Sequence, residues 1–470
     1  MILPSGLAQD RVCPLFTSEH ERFGVNTTPK YKQEITEYDV ARLNISWFID
    51  YTRRPDAPIP PGLSHLPLLT ARGYHPETRP LAHARLAADA RARPGAIWII
   101  GNEPDRILYQ DDQPPDQFAI FYHEAYHTIK QADPTAKVAF GGIVQPTPVR
   151  LLYLDRVLEA YQMRYGQRLP VDVWTFHNFI LREETNNWGA DIPPGLAEYD
   201  HLGIRYGILD HGNLDYFTAQ VISFRQWMAA RGYRNKPLLL SEYGILMPRQ
   251  YGFPSEVVES FMVGTFDYLR TVRDDAIGYP YDDNRLVQAW SWYSLNDYHY
   301  SFETGIGANG SLFDHDSGEI TPVGAAFAAY TAPLVHNYAD PAVVAVQAPP
   351  YIIDAEQAQP VDVHVHVVNT GNQPARNLQV RLQQTDAQGV VTTLGTQFVV
   401  TVATHCQERI RLTFPWTPGQ IGPAHLTLTA EVYADDDRTD LHNSAQATVR
   451  LLAPGMPLYS LFVPQIQREH

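Results

Sequence analysis

The chain has 470 residues, 44% hydrophobic and 11% aromatic, enough apolar material for a large core and too much length for one ordinary domain. A formal net charge of −16 repels nucleic-acid phosphates and anionic lipid but is indifferent to neutral sugars, which argues against nucleic-acid partners. No run of about 18 apolar residues exists to span a membrane, and the only two cysteines, Cys13 and Cys406, stand far apart in what read as separate domains, so neither a disulfide framework nor a cysteine metal site is expected.

The start, MILPSGLAQD, has neither the basic nor the apolar region of a signal peptide, so residues 1–20 read as a leader segment of a cytoplasmic chain or of one whose signal has been removed. Eight apolar strand candidates then precede residue 335, at 22–26, 41–48, 66–73, 96–102, 137–143, 172–178, 237–244 and 287–294. Helical patterns separate several of them: Phe118, Phe121, Tyr122, Ala125 and Ile129 share one face, as do Phe217, Val221, Phe224 and Met228. The proline-rich stretch APIPPGLSH shows no helix between the second and third strands. Eight strands with intervening helices predict a (β/α)8 barrel over residues 21–335, with functional groups gathered at the carboxyl ends of its strands.

At those ends stand Asn26, Trp47, Arg72, Asn102, Glu103, Phe176, His177, Asn178, Glu242, Tyr243, Trp290 and Trp292. The fourth strand reads IWIIGNEPD, with chemistry beginning where the apolar run stops, and the seventh reads KPLLLSEYG. Long connections follow strand six, with Asn186 and Trp188, and strand eight, with Tyr298, His299 and Tyr300, and their rings suit flat sugar faces. Trp290 and Trp292 share a face by the period of a strand, which serves either the site or the barrel core.

G-N-E-P at the end of a strand resembles the fourth-strand motif of the clan A glycoside hydrolases, retaining enzymes on (β/α)8 barrels, and Glu242 stands where that clan has its second glutamate. The resemblance implies that Glu103 is the general acid/base, Glu242 the nucleophile, and Asn102 a partner of the sugar hydroxyl beside the reacting carbon. It places His177 at the sixth-strand position where the clan often has a Tyr or His and makes Trp290 or Trp292 the floor under the sugar. Trp47, Asn178 and Tyr243 complete the expected substrate-binding set. Retention requires the two carboxyls roughly 5 to 5.5 Å apart, with environments that keep one protonated and the other ionised. Arg72 or His177 is expected to keep Glu242 charged.

A competing motif is His123-Glu124-Ala-Tyr-His127, which matches the H-E-x-x-H zinc signature. The apolar face of its helix centres near Ala125, which turns both histidines toward solvent, and no third ligand is offered. No metal and no cofactor are therefore expected.

Beyond residue 335 strict alternation takes over, as in VDVHVHVVN, LQVRL, IRLTFPW and LTLTAEV, and predicts a β-sandwich over 336–453. The stretch VHVVNTGNQPARNLQVRL resembles bacterial Ig-like domains of the cell-adhesion-related (CARDB) type, which act as spacers. The run Asp435 to Asp437 reads as a solvated turn in preference to a calcium site. The tail, 454–470, resembles those of some exported bacterial proteins, so an extracellular or cell-surface address is expected, cytoplasmic being the alternative. The resulting expectation is a retaining glycosidase acting on a β-linked poly- or oligosaccharide. Its rival is a non-catalytic carbohydrate-binding or adhesion protein on the same barrel, and transglycosylation would use the same residues.

Overall fold

The computed structural model describes residues 15–28, 34–303, 307–334, 337–353, 359–418, 424–437 and 442–452. The chain divides into two compact units, one running from Glu19 to His336, the other made of Asn337 onward with the residues up to Ser18. Cys13, most of the expected leader and the expected tail lie outside the described residues.

The first unit is built on one curled parallel sheet with the strands β1 (Phe23–Asn26), β2 (Trp47–Ile49), β3 (Ser64–His65), β4 (Leu68–Leu69), β5 (Ile97–Ile100), β6 (Lys137–Ile143), β7 (Val173–His177), β8 (Leu238–Tyr243) and β9 (Ala289–Trp292). Its order is β3-β2-β1-β9-β8-β7-β6-β5-β4. The two ends of that order, β3 and β4, are halves of a single chain segment interrupted at Leu66 and Pro67. The first half pairs with β2 and the second with β5, so the segment closes the sheet into an eight-stranded barrel. Around it pack α1 (His83–Arg91), α2 (Pro115–Ala132), α3 (Pro148–Tyr165), α4 (Leu214–Ala230), α5 (Ser255–Thr271) and α6 (Pro322–Thr331). The two helical faces read from the sequence are the buried faces of α2 and α4.

Two early elements differ from expectation. The second strand begins only at Trp47, because Val40–Leu43 form a 3-10 helix ended by Asn44 in the left-handed conformation. The third ends at Leu69, so Thr70 to Gly73 run on past the strand. No helix joins β2 to β3, where prolines cannot donate the required backbone hydrogen bonds. Among the described residues no helix is long and apolar enough to cross a membrane.

The second unit is a sandwich of a three-stranded sheet and a five-stranded sheet. Val363, Val365 and Val367 are fully buried against Leu378, Val380 and Leu382 and against Leu426, Leu428 and Val432, the alternation of a sheet with one face inside. Cys406 is disulfide-bonded, contrary to the expectation that neither cysteine pairs.

Candidate active site

The fourth-strand motif is shaped by backbone before side chains. Gly101 leaves β5 at φ +90°, where a Cβ would meet the Phe118 ring at 2.6 Å. Glu103 itself holds a left-handed φ of 44°, an arrangement that persists only where the surroundings impose it. Those surroundings are the bond from Glu103 N to Gly142 O (2.9 Å) and the carboxylate of Asp111, which accepts from Asn102 N (2.7 Å), Ala71 N (2.8 Å) and the Thr70 hydroxyl. Burial pushes the Asp111 pKa up to about 6 against these hydrogen bonds. Behind the motif the fully buried Arg150 is ion-paired to Asp105 and, at 2.7 Å, to Glu183, and it donates to the carbonyls of Ala190 and Asp191. One guanidinium thus ties the loop after β5 to the long loop after β7.

Glu242 is aimed by irregular pairing. The ladders joining β8 to β7 and to β9 both shift register, between Phe176 and His177 on one side and between Leu240 and Tyr243 on the other. Such a slip re-aims side chains at a barrel rim, and here it delivers Glu242 to the mouth. Two glycines of β6 make room for the site: a Cβ at Gly141 would stand 2.2 Å from the Gly101 carbonyl oxygen, and one at Gly142 would stand 2.5 Å from the His177 ring. Gly142→Ala is therefore expected to displace His177 and lower kcat at least tenfold, with a smaller effect on KM. Steady-state kinetics beside a melting curve checks this, and unchanged kcat would show that the ring position does not matter.

Both glutamates are buried, and His177 lies between them, its Nδ1 2.9 Å from Glu103 Oε1 and its Nε2 3.5 Å from Glu242 Oε1. One ligand atom from each of the three residues lies within 4.8 Å of the other two. Arg106 Nη1 adds a cation 3.3 Å from Glu103 Oε2. Burial opposes ionisation of Glu103, but Arg106 and the His177 hydrogen bond outweigh it and draw its pKa down to about 2. Burial raises Glu242 to about 7, the Glu103 charge adding to the rise while His177 and Tyr51 oppose it. The resting pair thus holds its one proton on Glu242, the reverse of the expected distribution. The reason is that Arg106 stands on the Glu103 side alone, while His177 is shared between the two carboxyls. Arg72 is exposed at the rim, with its Nη2 3.4 Å from the Leu108 carbonyl.

This trio is the one group among the described residues with the spacing of a metal site. Both ring nitrogens already face carboxylates, and Arg106 adds charge that would repel a dication, so the residues fit a proton-handling role better. His123 and His127 are half-buried, not turned to solvent as expected: His123 packs on α3, its Nδ1 2.8 Å from the Tyr161 hydroxyl and its ring stacked on Tyr165 at 3.7 Å, and His127 lies against the His123 ring. Asp435 and Asp436 are exposed, as a solvated turn requires.

The glutamates open onto a cavity of about 630 Å³ with apolar walls from Phe179, Trp188, Tyr293 and Tyr300 and polar ones from Arg72, Gln110 and Asp297. Asn102 lines it too, its Nδ2 donating to Gln110 Oε1. Four expected aromatic residues do not line it. Trp290 and Trp292 pair in register with Phe23 and Val25, on the sheet face that packs against the helices; Trp290 lies edge-on to Phe23, and Trp292 donates to the Gly310 carbonyl. Trp47 pairs with Gly24, and its ring fills the space a side chain there would take. Tyr243 packs between Phe217 and Trp292. Asn178 donates to the Phe217 carbonyl behind the strand end.

The residues missed by sequence reasoning, Tyr51, Arg106, Gln110, Phe179 and Tyr293, mostly stand one or more positions past a strand end. Tyr293 carried a signal: it directly follows Trp292, and the alternation that turns both tryptophans outward turns the next residue to the mouth.

No protein-family model and no curated protein matches the chain. Among solved structures it is similar to an FMN-binding β-glucuronidase from Facaelibacterium prausnitzii, at 14% identity and a TM-score of 0.41, covering 93% of this chain and 56% of that one. The chain thus spans just over half the length of that enzyme. It is also similar to the GH53 catalytic domain of Ignisphaera aggregans, at 15% identity and a TM-score of 0.39, covering 67% of this chain and 97% of that one. A quarter of the chain (25%) is similar to 98% of a CARDB domain from Pyrococcus furiosus, at 22% identity and a TM-score of 0.21. By its own strand order, the chain is a parallel (β/α)8 barrel followed by a β-sandwich.

Proposed function

We propose that this protein is a retaining glycoside hydrolase acting on a β-linked oligo- or polysaccharide, with Glu242 as nucleophile and Glu103 as acid/base. The observation that carries the reading is the approach of two buried carboxylates at the carboxyl end of a barrel, an oxygen of one lying within 4.8 Å of an oxygen of the other, near enough for both to reach one anomeric carbon as a retaining pair must. The aromatic walls supply flat apolar surfaces for sugar rings, and Asn102 offers its amide beside Glu103.

In the resting state the shared proton belongs to Glu242. Turnover begins once that proton has moved to Glu103, and His177, touching both carboxyls through its two nitrogens, is placed to carry it. Glu242 then attacks the anomeric carbon as Glu103 protonates the leaving oxygen. Glu103 next removes a proton from the water that releases the sugar. The disulfide at Cys406 supports an oxidising, extracellular or cell-surface setting.

A panel of aryl β-glycosides and polysaccharides, with the first-formed anomer followed by proton NMR, tests the reading. Release of the β-anomer is expected. First release of the α-anomer would replace double displacement by inversion, and sugar binding without turnover across the panel would make the protein a lectin-like barrel.

A further inference from the structure

The residue after β2 is Tyr51. Its backbone is left-handed, φ 58°, a conformation a bulky side chain adopts only under constraint. The constraint is Asp50, which is buried and accepts from Thr52 N (3.0 Å), the Thr52 hydroxyl and His65 Nε2 (2.6 Å). The Asp50 carboxylate bridges from one side of Tyr51 to Thr52 on the other and to the third strand, and the tyrosine lines the cavity onto which Glu242 opens. Its hydroxyl is buried within hydrogen-bonding reach of the Glu242 carboxyl, though not aligned on it in the resting structure. Burial, with the charges of Glu242 and Glu103, holds the phenol well above its ordinary pKa, so it stays a neutral donor. A buried hydroxyl is costly unless it donates, and the acceptor beside it is the Glu242 carboxyl.

Resting on the glycosidase reading above, we propose that Tyr51 is the positioning residue of the nucleophile: once Glu242 gives up its proton, the Tyr51 hydroxyl donates to the carboxylate, holding it ionised and directed at the anomeric carbon. The other groups that bear on Glu242 are Glu103 and Arg106 from the loop after β5 and His177 from β7. Tyr293, which bears on Tyr51, comes from the loop after β9 and is itself committed, donating to Asp297 Oδ2 at 2.6 Å. Arg106 and His177 favour the ionised form through charge; Arg106 stands on the Glu103 side and His177 is shared between the two carboxyls. Tyr51 is the neutral donor placed on Glu242 itself.

The test uses the full chain and Tyr51→Phe, which removes one oxygen and keeps the ring, with melting curves as the control for folding. Glutamate Cδ signals are followed by carbon NMR across pH, Glu242 being assigned by its absence in Glu242→Gln. The proposal expects Tyr51→Phe to move the Glu242 titration to higher pH. It also expects kcat to fall by about ten- to a hundredfold with KM unchanged, and the descending limb of the pH-rate profile to move to higher pH. An unmoved Glu242 titration in a Tyr51→Phe protein that melts like the wild type would overturn it. A moved titration in a protein that turns over no glycoside would uphold the tyrosine–carboxylate contact and overturn the glycosidase reading instead.

Discussion

Glu242→Ala is expected to abolish turnover of every glycoside, while Glu103→Ala keeps the first half of the reaction on activated aryl glycosides. The asymmetry follows from the charges around the pair. Removing Glu103 deletes the anion that raises Glu242 and leaves Arg106 and His177 to favour its ionised form, so the nucleophile is ready at neutral pH. An aryl leaving group of low pKa needs no proton, the glycosyl-enzyme forms, and it accumulates because no base activates water. Overall kcat should fall on the order of 10²- to 10⁴-fold, the worth of a general acid/base. Added azide should restore turnover as a β-glycosyl azide of retained configuration. Removing Glu242 leaves Glu103 held ionised near 2 by Arg106 and His177, with neither a nucleophile nor a proton to offer. Azide should then yield only the inverted product. The opposite pattern, rescue with retention in Glu242→Ala, would exchange the two roles.

The second large effect is on stability and its dependence on pH. In the folded protein Glu242 is raised from 4.5 to about 7. Its contribution to stability is fully present below about 4.5 and is lost as pH rises through about 7, where the fold must hold a buried anion beside Glu103. Glu242→Gln never ionises, so at pH 8 the variant should be more stable than the wild type by about 3 kcal/mol, at 1.36 kcal/mol per decade of affinity for the proton. Glu103 behaves oppositely. Lowered from 4.5 to about 2, it contributes stability above 4.5 that is lost only as pH falls through about 2, so Glu103→Gln should destabilise at neutral pH. Thermal melts of both variants from pH 5 to 8 separate the two signs. Equal effects at all pH values would mean that the two carboxyls do not differ in environment. The same charges set the rate profile: the pair must carry one proton, so kcat/KM should decline as pH rises through about 7.

Periodicity made the barrel legible because a parallel strand covered on both faces is written as a short apolar run, and IWII, KVAF and PLLL need no tertiary information to be read. The sandwich was legible for the complementary reason, since a sheet with one buried face alternates residue by residue and the valines of VDVHVHVV do so. The two glutamates and Asn102 could be named from the sequence because each directly follows or closes such a run. What the one-dimensional pattern does not contain is register. Whether Trp290 and Trp292 face sugar or helices depends on which residue of β1 each stands beside, and the pairing with Phe23 and Val25 turned both outward. The aim of Glu242 depends on slips between neighbouring strands, and the space for His177 depends on Gly142 of another strand. Nor could the proton be assigned from sequence. A carboxyl's pKa is set by distances to charges, and only the fold brought Arg106 and both nitrogens of His177 to the pair, left Arg72 at the rim, and turned Tyr51 inward to stand beside Glu242.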